Sequence, residues 1–65
     1  MLLLSELLLK EGDNFSTFED LKKAIHKIAI ETGELHFQVD IEPPAYSDRP
    51  SEWHDQLNLT FESAR

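Results

Sequence analysis

Leu35-His36-Phe37-Gln38-Val39-Asp40-Ile41-Glu42 is the most regular stretch of this 65-residue chain. Leu35, Phe37, Val39 and Ile41 alternate with His36, Gln38, Asp40 and Glu42, so a side-chain period of two sends the first set to one face of a strand and the second set to the other. The stretch reads as a half-buried strand. Its apolar row needs a cover, and its polar row, carrying acids and a histidine, faces water.

The cover is close at hand. Phe18, Leu21, Ile25, Ile28 and Ala29 fall on one helical stripe, with Lys22, Lys23, Lys27 and Glu31 on the opposite side. Ser16 and Glu19 have capping-box spacing, Asp20 adds an acid where the helix dipole favours one, and Glu19 with Lys23 makes a four-residue ion pair. Gly33 supplies a left-handed stop. The helix is expected from about Thr17 to Thr32, and with only Gly33 and Glu34 before the strand it must fold back across the apolar row.

Past the strand, Pro43 and Pro44 end any ladder, since neither can donate to it. Three prolines stiffen the connector from Pro43 to Glu52. Alternation then resumes, with Trp53, Leu57, Leu59 and Phe61 on one parity and His54, Gln56, Asn58 and Thr60 on the other. A second half-buried strand, from about Asp55 to Glu62, is expected to pair with the first as an antiparallel hairpin.

The opening run from Leu2 to Leu9 has two readings. Leu, Glu and Lys favour helix and Gly12 is placed to stop one; as a strand the run would be buried on both faces. Helix is the favoured reading, with an N-terminal strand and a βαββ order as the alternative. In a helix, Leu3, Leu4, Leu7 and Leu8 share a face while Leu2 and Leu9 lie opposite. That second apolar side suggests a twofold dimer in which Leu2, Leu9 or both meet their mates. Ser5 and Glu6 interrupt the run, which lacks a basic start, so neither a signal peptide nor a membrane span is expected. The fold class is thus α+β, one small domain over residues 1–65, with the amphipathic helix on a two-stranded antiparallel hairpin.

Composition bounds the function. The net charge is −7, with thirteen acids against six bases. From Glu34 onward the only bases are Arg49 and Arg65. Direct nucleic-acid or anionic-membrane binding needs clustered Lys or Arg and is excluded by this balance. The chain has no cysteine, which removes disulfides and thiolate metal sites and fits a cytoplasmic location. A chain this short has a marginal core, so a homodimer or a place in a larger complex is expected.

His36, Gln38 and Asp40 project from one strand face, and His54 with Asp55 begins the next. Two imidazoles and a carboxylate can hold zinc, and Asp40 with His54 is a conceivable acid and base. Their spacing matches no ligand pattern, and a solvated polar face accounts for the same residues, so no catalytic residue, cofactor or metal ligand is assigned. Tyr46 and Trp53 border the connector, as aromatic anchors at interfaces do. The expected function is a non-catalytic regulatory or accessory protein, an inhibitor, adaptor or small subunit. It would bind a basic protein partner through Asp40, Glu42, Tyr46, Asp48, Glu52, Trp53 and Asp55. The alternatives are a DNA mimic that occupies a nucleic-acid-binding protein and a small metal-binding enzyme using His36 and His54.

Overall fold

In the computed structural model, which describes residues 1–64, the amphipathic run folds as α2 (Phe18–Thr32). Its capping box is one residue later than the spacing of Ser16 and Glu19 suggests. The Thr17 hydroxyl oxygen accepts from the Asp20 N–H at 3.1 Å, and the Asp20 carboxylate accepts from the Thr17 and Ser16 N–H groups at 3.3 and 3.0 Å. Ser16 and Thr17 both carry a capping oxygen, and an acid stands three residues after each. A cap at Thr17 makes Phe18 the first helical residue, and Phe18 is 98% buried at 2% relative exposure. Glu19 pairs with Lys22 at 3.4 Å rather than with Lys23. At the far end Gly33 adopts φ 66° and its N–H reaches the Ala29 carbonyl, the left-handed stop that only glycine takes without strain. Phe18, Leu21, Ile25 and Ala29 are buried, and Ile28 packs beside them.

The leucine run is neither of its two readings alone. Leu2 and Leu3 form a two-residue strand, β1, and the chain then turns directly into α1 (Leu4–Glu11), which a 3₁₀ turn over Gly12–Asn14 follows. Leu4 and Leu7 are buried in the core cluster, whereas Leu9 is 88% exposed.

The expected antiparallel hairpin does not form. The strand reading of Leu35 to Glu42 contracts to β2 (Phe37–Gln38), which pairs with β1 in parallel, Leu2 beside Phe37 and Leu3 beside Gln38. A ladder is no longer than its shorter strand, and β1 ends where α1 begins. Phe37 and Val39 pack on the core, while Leu35 and Ile41, the outer members of the apolar row, are 62% and 44% exposed.

The expected second strand, Asp55 to Glu62, is instead α3 (Trp53–Ser63), which packs chiefly against α2. Leu57 and Phe61 are buried and Trp53 packs beside them. Positions 53, 57 and 61 recur every four residues, a spacing that satisfies both a strand face and a helix stripe. Leu59 separates the two: a strand would place it with Leu57, and here it is 61% exposed on the other side of the helix. The Phe61 ring stacks on Phe37, with centroids 5.3 Å apart, which joins α3 to β2. The result is a small, helix-dominated α+β fold of three helices and one two-stranded parallel sheet among the described residues. No helix among them is long and apolar enough to cross a membrane.

Candidate partner-binding surface

The parallel register decides where Asp40 goes. Leu2 sits beside Phe37 and Leu3 beside Gln38, so continuing the two chains brings Ser5 beside Asp40. Ser5 lies in the first turn of α1, whose amide groups have no partner within the helix. The Asp40 carboxylate accepts from the Ser5 N–H at 3.0 Å and from the Ser5 hydroxyl. These two bonds favour the charged form and hold the Asp40 carboxyl below its ordinary range.

Asp48 does the same for α2 from the other side of the connector. Its two oxygens accept from the Phe18 N–H at 2.6 Å and the Glu19 N–H at 3.2 Å, and the first of these is the main reason its carboxyl is held low. Asp20, bonded to the Ser16 N–H, is lowered for a like reason. The N-terminus of α2 therefore takes one carboxylate from within the helix and one from the connector.

Between these points the connector is tied to itself. The Arg49 guanidinium donates to the Pro43 carbonyl at 2.7 Å and to Glu42 at 3.2 Å, and it lies 5.7 Å from the centre of the Trp53 ring. The Arg49 N–H closes a turn onto the Tyr46 carbonyl at 3.0 Å. Pro43 is buried. Tyr46 and Trp53 are half-buried against the core, and burial, followed by the nearby Asp20 and Asp48 charges, raises the Tyr46 phenol. Glu52 and Asp55 stand exposed at the start of α3, where the helix dipole suits them.

The seven residues expected to bind a partner thus fall in two groups. Asp40, Glu42 and Asp48 are exposed but engaged with Ser5, Arg49 and α2 respectively, and Tyr46 and Trp53 each show part of a ring while the rest packs inward. Only Glu52 and Asp55 project without a long-range partner among the described residues. His36 precedes β2 and His54 sits in the first turn of α3, its ring edge against Trp53. No three His, Cys, Asp or Glu among the described residues are grouped to hold a metal ion, and His54 lies on α3 rather than at the start of a second strand. Of the two leucines expected at a dimer contact, Leu2 packs on the core and only Leu9 stands out.

A surface that the alternation pattern concealed lies at the other end of β2. Leu35, read as a core residue, is exposed next to Ile30, which is 57% exposed. Ile30 stands off the Phe18 to Ala29 stripe, so its exposure was readable. That of Leu35 depends on how short β2 is. The two residues share a shallow hollow with Ala29, Gly33, Glu34 and Ala64. No protein-family model, no curated protein and no solved structure matches this chain.

Proposed function

We propose that this chain is a small acidic, non-catalytic regulatory or accessory protein of the cytoplasm that binds a basic protein partner through its C-terminal half. The observation that carries the reading is the bracing of the connector. Asp48 on α2, together with Arg49 on Pro43, Glu42 and the Trp53 face, ties a ten-residue loop to the elements on either side of it. Its carboxylates and the outer parts of two aromatic rings still face solvent. A surface ordered before binding loses less conformational freedom when a partner arrives. Its charge sets the sign of the partner, because the acids of this half outnumber its bases and steer a positively charged surface.

The test separates steering from folding. Asp40 and Asp48 accept from distant helix amides, so their replacement confounds the two; Glu52→Lys and Asp55→Lys lose only the dipole contribution of two exposed acids at the start of α3, about 0.3–1 kcal/mol each, which a melting-temperature control registers separately. With a partner captured by crosslinking and then purified, the double reversal is expected to slow association about tenfold at low salt and leave dissociation nearly unchanged. Rising salt should erase the difference. Association that is indifferent to both the reversal and salt places the interface elsewhere.

A further inference from the structure

We infer that the open edge of the β2 segment, from Leu35 to Val39, receives an extended, basic segment of a partner protein as a third strand. This deepens the reading of the chain as a protein-binding module and rests on it. Three observations meet at this edge.

The first is a row of backbone groups without partners. The Leu2 N–H donates to the His36 carbonyl at 2.9 Å, so His36 and Gln38 direct their backbone groups toward β1. The period of two then turns the N–H and carbonyl of Phe37 the other way, and Leu35 and Val39, which flank the two-residue strand, share its parity. Among the described residues the sheet has no third strand, and the hydrogen bonds outside the helices and the β1–β2 ladder include none to these three N–H groups. Such a row is the template on which an extended chain pairs.

The second observation is a depression on either side of an exposed leucine, the larger one mainly polar in its lining and the smaller one mixed, placed to take side chains from that strand. Leu35, Phe37 and their neighbours form one wall of an open groove, and Asn58, Phe61 and Glu62 of α3 form the other. Leu35 also lines the hollow beside Ile30, so the two depressions meet at one exposed leucine. An incoming strand with alternating apolar residues covers Leu35 and Ile30 as its backbone pairs.

The third observation is the sign of the charge. Among the described residues the charged side chains of the groove and the hollow are Glu62 and Glu34, the latter 3.2 Å from the ammonium of Met1, which also lines the groove, and no described Lys or Arg side chain lines either. A strand carrying Lys or Arg between its apolar positions matches this lining. A second copy of the chain does not: antiparallel pairing centred on Phe37 sets Glu34 of one copy opposite Asp40 of the other, in a molecule of net charge −7.

The probe is a capped peptide of alternating valine and lysine, about eight residues long, which is enough to cover a typical strand. It is titrated into the full chain while backbone amides are followed by NMR and hydrogen exchange. The expected result is saturable binding in which the Leu35, Phe37 and Val39 amides exchange at least about tenfold more slowly at saturation. The valine–glutamate counterpart, and the lysine peptide N-methylated at every second residue in either register, are expected to bind at least about tenfold more weakly, a loss of about 1.4 kcal/mol. Leu35→Lys, a change at an exposed position, is expected to weaken the lysine peptide similarly with the melting temperature unchanged. Absence of saturable binding overturns the inference, and so does binding that leaves the three amides unprotected or tolerates N-methylation. A partner that obeys the Glu52 and Asp55 reversals while these amides stay unprotected also overturns it, and leaves the protein-binding reading intact.

Discussion

Replacing Leu57 and Leu59 one at a time by alanine separates the helical reading of residues 53–63 from the strand reading in a single measurement. Leu57 is 0% exposed and packs in the core cluster, whereas Leu59 is 61% exposed. Truncating a fully buried leucine removes its transfer energy and leaves a cavity, costing about 2–5 kcal/mol. Truncating an exposed one on a helix costs a few tenths at most, since alanine is the better helix former. A 65-residue domain has roughly 3–10 kcal/mol of stability at the usual 0.05–0.15 kcal/mol per residue. Leu57→Ala therefore consumes a large part of it, and Leu59→Ala almost none. Urea unfolding followed by far-ultraviolet circular dichroism measures both, with the slope of the transition reporting whether the folded state is unchanged. On a strand the two leucines share one row and lose comparable amounts. Equal costs, or a larger cost at Leu59, refute the placement of α3.

Three further outcomes follow from the same geometry. Asp20, Asp40 and Asp48 have carboxyls lowered in the folded state by bonds to helix amides, so their contribution is complete above the ordinary aspartate value of 3.8 and is lost as the pH falls through their folded values; urea midpoints should decline with acidification below that point, and Asp48→Asn should start lower and decline less. The Tyr46 phenol is raised above 10.0 by burial and by the Asp20 and Asp48 charges. Because the unfolded chain gives up that proton first, stability should fall as pH rises past 10.0, and an ultraviolet titration should find the tyrosinate late in native protein and at its ordinary position in urea. Zinc should leave the melting temperature of the native chain within about a degree, because a metal bound only to the folded form would raise it; a tight stoichiometric site in calorimetry would contradict the separation of His36 from His54.

The elements that sequence made legible are those whose signals are local. The stripe from Phe18 to Ala29, the acids of its first turn and the glycine that ends it lie within one stretch of chain, and α2 forms there to within a residue at its start. The slip of its cap from Ser16 to Thr17 is a single residue, since each carries a capping oxygen with an acid three residues on. Charge, the lack of cysteine and the stiff proline connector were likewise plain from composition.

What only the tertiary structure decided depends on residues far apart in the chain. The spacing of Trp53, Leu57 and Phe61 fits a strand face and a helix stripe equally, so the choice fell to the groove that α2 offers, with Leu59 left outside. The regular alternation from Leu35 to Ile41 says which residues can share a face, but a ladder needs a mate, and the mate here is two residues long. Its parallel register then carried Asp40 to the first turn of α1, while the connector returned Asp48 to the first turn of α2. A carboxylate in a sequence looks like free charge for a partner; whether it is held by a helix end thirty residues away is settled by the path of the chain, because unpaired amides bind the nearest anion that the fold delivers.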